Sequence, residues 1–178
     1  MTGPEPGSDH RTVSIDQQSE TLSLLPWPHG ESTALRSALA ESGDGLETEG
    51  EILRRHDRYL RGWAEGNEFF YAILLDGDCV GSIGYWYGSS RGVVAYETAW
   101  SLAPRVRDRD IAVRSVRLLL DEVAAFPLPR FVHAFVPTDD ADDSAICVEA
   151  GFDRVDVIEQ GDPPGLYADW AFDLAVVA

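Results

Sequence analysis

Residues 96–123 read YETAWSLAPRVRDRDIAVRSVRLLLDEV, and this stretch decides how the rest of the chain is interpreted. Its first part, Tyr96–Leu102, is a strand-like run that ends at Ala103 and Pro104, a turn signal. A charged loop follows, and apolar residues then recur at the spacing of one buried helix face. The stretch therefore predicts a strand, a short loop and a helix, whose buried face is formed by Ala112, Val116, Leu119, Leu120 and Val123.

The loop between this strand and this helix is a potential binding site for an anion. The first N–H groups of a helix have no partner within the helix, and the helix dipole adds partial positive charge at the same end. Helix N-termini that follow a strand commonly hold phosphate groups for these reasons. We therefore expect functional residues in the loop.

From Pro104 to Ala112 the loop reads PRVRDRDIA. This pattern resembles the central motif of the GNAT N-acetyltransferase superfamily, particularly its ribosomal-protein N-acetyltransferase-like branch, in which P-x-x-R-G-x-G-x-A cradles the pyrophosphate of acetyl-CoA. The proline, the arginine and the alanine match, whereas Asp108 and Asp110 replace both glycines. The resemblance implies a cofactor-binding segment that comprises Leu102, Arg107, Asp108, Arg109, Asp110, Ile111, Ala112 and Val113.

A second segment, Thr138–Phe152, reads TDDADDSAICVEAGF and also resembles the family. The family pattern there is N-x-x-[SA] followed by Y-E-K-x-G-F. Asp140 stands at the asparagine position, which the resemblance places beside the cofactor, and Cys147 stands where many members carry the tyrosine that protonates the departing CoA thiolate. The Gly-Phe pair and the spacing match, but the asparagine and the tyrosine do not.

The remaining patterns fit the element order β-α-α-β-β-β-α-β-α-β-β. The resemblance implies an α/β (α+β) GNAT fold with a mixed central sheet of about seven strands, splayed central strands and four helices. It covers about residues 21–177, within a single domain predicted over residues 20–178 that follows a disordered leader over residues 1–19. We expect helices over Glu31–Glu41 and Thr48–Ala64, a hairpin turn at Asp76-Gly77-Asp78, a second turn over Gly88–Gly92 and a last strand over Tyr167–Val177.

The composition limits the classes of function. The formal net charge is −17 and the pI is about 4.4, which argues against nucleic acid and anionic membranes as partners. All fourteen basic residues are arginines, so Schiff-base chemistry through lysine is excluded. Cys79 and Cys147 lack the spacing of a zinc site, and the aspartates near Asp140 lack the pattern of a calcium loop, so no metal is expected. We expect a cytoplasmic protein, for which both a monomer and a homodimer are open.

Two side chains are candidates for acid/base catalysis. The resemblance implies that the reacting groups meet where the central strand and the strand near Phe131–Val136 splay apart. Glu97 lies on the first strand and His133 on the second, and a carboxylate or an imidazole could accept a proton there. Glu97 could instead be a structural or solvent-facing carboxylate, and His133 a hydrogen-bonded core residue. The aromatic residues Tyr85 and Trp100 are candidates for the substrate pocket.

The two aspartates in the loop decide between the functional hypotheses. A carboxylate about 4 Å from a phosphate charge costs about 4 kcal/mol at an effective dielectric near 20. Aspartate is also a good N-cap, so Asp110, or Asp108 as well, could accept the bonds that a phosphate would accept. We therefore favour a divergent member that acts on a small organic substrate, such as an amine, without ordinary use of acetyl-CoA. An acetyl-CoA-dependent N-acetyltransferase of a small amine and a non-catalytic binding or partner subunit are the alternatives.

Overall fold

The computed structural model describes residues 20–43, 45–126 and 128–177, so the predicted leader lies outside the described residues. The described part forms seven strands and four α-helices. In chain order these are β1 (Leu22–Pro26), α1 (Ser32–Ser42), α2 (Glu49–Glu65), β2 (Glu68–Leu75), β3 (Asp78–Ser90), β4 (Val93–Leu102), α3 (Arg109–Val123), β5 (Phe131–Pro137), α4 (Ala141–Ala150), β6 (Asp153–Gln160) and β7 (Gly165–Asp173).

The strands form one mixed sheet in the order β1-β2-β3-β4-β5-β7-β6. Every neighbouring pair is antiparallel except β4 and β5, which run parallel. The register between β4 and β5 extends only from Tyr96↔Val132 to Thr98↔Ala134, although both strands continue further. The central strands therefore splay apart, and the predicted fold class is confirmed.

Helices cover the two faces of the sheet unequally. Side chains alternate between faces along a strand, and two consecutive residues of β4 show which helices lie on each side. The Trp100 indole N–H donates to Asp143 of α4 at 3.1 Å, whereas the Ser101 hydroxyl donates to the Ser42 carbonyl of α1 at 2.7 Å. Helices α3 and α4 thus lie on one face and α1 on the other, where α2 packs beside it.

One of the two predicted turns is confirmed, and the other was placed wrongly. The turn at Asp76 and Gly77 is confirmed, with φ values of 51° and 89° that suit a two-residue hairpin turn. The prediction of a turn over Gly88–Gly92 was wrong, because β3 continues to Ser90 and the turn consists of Arg91 and Gly92, with φ values of 51° and 76°.

The predicted last strand, Tyr167–Val177, was also wrong at its C-terminal end. Strand β7 stops at Asp173, and a single 3-10 turn follows over Leu174–Val176. The Asp173 carboxylate accepts the N–H of Ala175 at 3.0 Å, and this side-chain cap starts the turn. Apolar residues alone therefore overstated the length of the strand.

The long β3–β4 hairpin bends over the face that carries α1. Ser90, at the end of β3, donates to Asp169 of β7 at 3.3 Å, although β4 and β5 lie between these strands in the sheet. Arg91, in the turn, contacts Asp156 of β6 at 3.4 Å and donates to the Val155 carbonyl at 3.1 Å. The end of the hairpin consequently covers the middle of the sheet on this face.

Candidate functional site

A cavity of about 580 Å³ lies where β4 separates from β5, between the N-termini of α3 and α4. From β4 it is lined by Trp100, Ser101 and Leu102, and from the α3 side by Arg107, Asp108, Arg109 and Ala112. From the α4 side it is lined by Asp140, Asp142, Asp143 and Ile146.

The structure brings most, but not all, of the predicted site residues to this cavity. Of the predicted cofactor-binding residues, Asp110, Ile111 and Val113 are absent from its lining, and of the two predicted pocket residues Trp100 lines it. Tyr85 is buried in the core, where its ring stacks on Phe69 at 5.0 Å. The predicted cofactor-binding residues that do line the cavity are Leu102, Arg107, Asp108, Arg109, Ala112 and Asp140.

The first turn of α3 is capped by Asp108. The Asp108 carboxylate accepts the N–H of Asp110 at 2.8 Å. Of the two aspartates considered as caps, Asp108 holds this position, whereas Asp110 lies inside the first turn because the helix already begins at Arg109. The Asp110 side chain is 73% exposed and lies 3.4 Å from Arg114, one helical turn further on. The two aspartates that replace glycines therefore have different positions, one at the helix entrance and one on its outer surface.

Backbone N–H groups of the loop also donate to carbonyl groups within the loop. The Arg107 N–H donates to the Pro104 carbonyl at 3.3 Å, and the Asp108 N–H donates to the Val106 carbonyl at 2.7 Å. With the Asp110 N–H bonded to a carboxylate, three of the four N–H groups from Arg107 to Asp110 already have acceptors within the loop. The fold family implies an acetyl-CoA site here, but a negatively charged side chain at the helix entrance does not fit a diphosphate.

At the opposite wall of the cavity, aspartates cap α4 in the same way. Asp140 accepts the N–H of Asp143 at 2.9 Å, and Asp143 in turn accepts the indole N–H of Trp100 at 3.1 Å. Burial raises the pKa of Asp143 above its usual value, and the hydrogen bond from Trp100 partly offsets this effect. Asp143 and Ile146 follow Asp140 at helical intervals of three residues, a signal that would have identified them as lining residues.

The cavity carries more negative than positive groups. Four aspartates line it, against two arginines. The Arg109 guanidinium already forms ion pairs at the edge of the cavity, 3.6 Å from Asp142 and 3.4 Å from Glu149. The field inside the cavity therefore favours a cation over an anion.

Cys147 has no nucleophilic character at this site. It is fully buried on the inner side of α4, and burial, together with the nearby Asp143 and Asp140, raises the pKa of its thiol to about 12. Burial is the larger of these causes. The thiol is therefore protonated at neutral pH.

Glu97 and His133 lie on the opposite face of the sheet from Trp100. They are register partners on β4 and β5, one pair before the strands separate. Glu97 accepts the indole N–H of Trp86 at 3.0 Å. His133 is buried, and its Nδ1 lies 2.6 Å from a carboxylate oxygen of Asp169. Sequence reasoning missed Asp169, because the hydrophobic pattern of the last strand gave no indication that this residue would face a histidine.

A mixed sheet with one parallel, splayed central pair, and a cavity between two helix N-termini at that point, is the architecture of GNAT-type acyltransferases. Comparison with solved structures supports this class. A putative GNAT-family acetyltransferase from Bordetella pertussis is 18% identical with a TM-score of 0.71, covering 87% of this chain and 96% of that one. A ribosomal L7/L12 alpha-N-protein acetyltransferase in complex with coenzyme A is 15% identical with a TM-score of 0.70, covering 86% of this chain and 94% of that one.

A third similar structure is a mutant spermidine N-acetyltransferase from Vibrio cholerae, which is 11% identical with a TM-score of 0.68 and covers 86% of this chain and 94% of that one. At these identities the likeness concerns the fold. The model of the acetyltransferase (GNAT) family matches residues 33–146, more than half of the chain. The chain therefore belongs to the GNAT acetyltransferase family. No curated protein matches it.

Two further findings concern membranes and metals. Among the described residues, no helix combines the length and the apolar character that crossing a membrane requires. The same part of the chain contains no group of three or more histidine, cysteine, aspartate or glutamate side chains arranged to hold a metal ion.

Proposed function

We propose that this member of the GNAT family acts on a small organic cation, such as an amine, which binds in the cavity between α3 and α4, and that it does not hold acetyl-CoA in the ordinary manner of the family. The observation that carries the proposal is the position of Asp108. Its carboxylate already accepts the helix N–H that a diphosphate would need, and it adds a negative charge at the same place.

The lining of the cavity supports a cationic ligand. Asp140 and Asp142 offer carboxylate oxygens from α4, and Trp100 offers an aromatic ring from β4. Carboxylates and indole rings both attract organic ammonium groups. A similar structure is that of a spermidine N-acetyltransferase, and this provides a reason to test an amine first.

Glu97 and His133 are the groups that we propose for proton transfer. They are paired across β4 and β5 one register position before the last pair, Thr98 and Ala134, and Trp100 lies three residues beyond Glu97 on the same strand. The gap between the strands thus lies between the cavity and these two side chains. A protonated amine that entered the gap would meet two groups able to accept a proton.

The experiment is a calorimetric titration of the full chain with acetyl-CoA and, separately, with spermidine. The unaltered protein is expected to bind spermidine and not acetyl-CoA. Asp108→Asn keeps an N-cap but removes the charge, so it should improve acetyl-CoA affinity at least about tenfold, which corresponds to about 1.4 kcal/mol. Asp110→Asn removes the same charge from the outer surface of α3 and serves as the matched control, with a smaller effect.

A further variant tests the amine. Asp140→Asn preserves the cap of α4 and should weaken spermidine binding, because one carboxylate of the lining is lost. Micromolar binding of acetyl-CoA by the unaltered protein would contradict the proposal, and the absence of any heat with spermidine would contradict its amine part.

An acetyl-CoA-dependent N-acetyltransferase of a small amine is the second candidate, and one observation favours it. Arg107 and Arg109 both line the cavity, while the Asp110 carboxylate points away toward Arg114. In this case only one aspartate opposes the cofactor and two arginines offset it. The titration with acetyl-CoA distinguishes the two candidates directly.

A further inference from the structure

A buried polar cluster lies beneath the β3–β4 hairpin, on the face of the sheet opposite the acidic cavity. His133 is 7% exposed and Asp169 is 2% exposed. Their side chains are joined at 2.6 Å through the Nδ1 atom of the histidine. Ser90 reaches the other carboxylate oxygen of Asp169 at 3.3 Å from the bent end of the hairpin. Most other buried residues of the domain are apolar, so a buried histidine paired with a buried aspartate requires an explanation.

The hydrogen bonds define the state of the imidazole. An ionised carboxylate has only acceptor sites, so the short contact requires a proton on Nδ1 of His133. The Ser90 hydroxyl donates to the second oxygen of Asp169, which stabilises the negative charge. When the ring is neutral, the remaining nitrogen of His133, Nε2, carries the lone pair and can accept a proton.

The surroundings of His133 include the other proposed acid/base group. Its register partner on the parallel strand is Glu97, and neighbouring strands lie about 4.8 Å apart. The carboxylate of Glu97 is held by the indole N–H of Trp86 at 3.0 Å. The Phe135 ring stacks on His133 with centroids 6.2 Å apart. The charged and titratable groups from the packed strands are therefore Glu97 on β4 and Asp169 on β7.

We propose that Asp169 is a positioning residue that fixes His133 with Nε2 as the proton acceptor, and that Ser90 of the overlying hairpin holds Asp169 in place. The inference rests on the proposed function, in which His133 accepts a proton from an ammonium group. In this step an N–H bond of the ammonium breaks and an N–H bond forms at Nε2, so that the positive charge moves to the imidazolium. Asp169 stabilises that charge through the Nδ1–H hydrogen bond.

The test is the tautomer of His133, measured on the full chain by long-range ¹H–¹⁵N correlation spectroscopy at a pH where the ring is neutral. The unaltered protein should show the proton on Nδ1. Asp169→Ala removes the acceptor, so the population should move toward the tautomer with the proton on Nε2. Asp173→Ala is the matched control on the same strand, because Asp173 pairs with Arg130 at 2.6 Å instead of a histidine.

The measurement needs no ligand, so its failure and the failure of the proposed function are distinguishable. A proton on Nε2 of His133 in the unaltered protein would overturn the inference, even if Asp169→Ala did not fold. An unchanged Nδ1–H signal in a folded Asp169→Ala variant would overturn it as well. Ser90→Ala, a milder change, should preserve the tautomer but increase the exchange of its Nδ1 proton with water, because the carboxylate loses one of its two donors.

Discussion

The two sides of the β4–β5 separation use carboxylates in opposite ways. On the side of α3 and α4, aspartates such as Asp108 and Asp140 stand at the wall of an open cavity and cap helices through backbone N–H groups. On the other side, Asp169 is buried and bonded to two side chains, His133 and Ser90. Water screens the first group, whereas the second depends on its partners.

Because of this difference, substitutions on the two sides should lower the stability of the fold by different amounts. A capping aspartate at an exposed helix end can be exchanged for another capping residue with little loss of stability. A buried carboxylate leaves its partner unsatisfied when it is removed, and the partner then has no access to water.

The largest effect is expected for Asp169→Ala. Removal of the carboxylate leaves the buried Nδ1 of His133 without a hydrogen-bond partner, so the free energy of unfolding should fall by about 3 kcal/mol. Denaturant unfolding measures the change. Asp142→Ala is the control, because its side chain is 93% exposed and a surface substitution should stay within about 0.5 kcal/mol. An equal loss of unfolding free energy in both variants would show that the buried and the exposed carboxylates do not differ in their contribution to stability.

A smaller effect is expected for Gly88→Ala in the hairpin. The added Cβ would lie 2.6 Å from Cδ and 2.8 Å from Cγ of Glu97, so the glutamate must move away from Trp86. Because the crowded atoms are the far end of a flexible side chain, the main cost is the lost hydrogen bond from Trp86, about 1.5 kcal/mol. The fluorescence of Trp86 should change together with the free energy of unfolding. Gly88→Ser should behave alike, and a neutral result for both variants would show that Glu97 can leave its position freely.

The next effect concerns the cap of α3. Asp108→Ala removes the acceptor of the Asp110 N–H and should lower the free energy of unfolding by about 1 kcal/mol, whereas Asp108→Asn should leave it nearly unchanged. Thermal unfolding of the two variants provides the measurement. If Asp108→Asn destabilised the protein as strongly as Asp108→Ala, the charge rather than the cap would be the stabilising feature.

The fold could be predicted from the sequence to a large extent, because its elements carry local signals. The two helices before β2 were predicted within one residue, and the Asp76–Gly77 turn was predicted from its type. The splayed pair followed from the resemblance to the GNAT motifs near Pro104 and Gly151. These features depend on periodicity, turn chemistry and spacing, which a single sequence displays directly.

The site could be predicted only in part, because its remaining features depend on contacts between distant segments. The hairpin that brings Ser90 to Asp169 joins residues 79 positions apart, and no local pattern encodes that contact. The sequence left both Asp108 and Asp110 as candidate caps, because the two aspartates are equally good caps by residue type. The side-chain direction that separates them appears only in three dimensions.

The smallest expected effect is the contribution of Asp143 to the pH dependence of the unfolding free energy. Burial raises the pKa of this residue even though it lines the open cavity. A raised pKa means that the folded state binds the proton more tightly than the unfolded chain. The stabilising contribution is therefore complete below the unfolded value of 3.8 and is lost as the pH rises through the folded pKa. The difference in unfolding free energy between the unaltered protein and Asp143→Asn should accordingly fall as the pH rises from about 4 to 7.

The matched control for this prediction is Asp173→Asn. The hydrogen bond from Arg130 lowers the pKa of Asp173, so its contribution is present above the unfolded value and is lost as the pH falls. The Asp173 difference should therefore rise with pH only below about 3.8 and stay nearly flat above it, whereas the Asp143 difference should fall with pH above about 3.8. If Asp143→Asn gave a slope of the same sign as Asp173→Asn, Asp143 would be a solvated carboxylate like its exposed neighbours. The cavity would then lack the partly buried acid that separates it from an ordinary capped helix end.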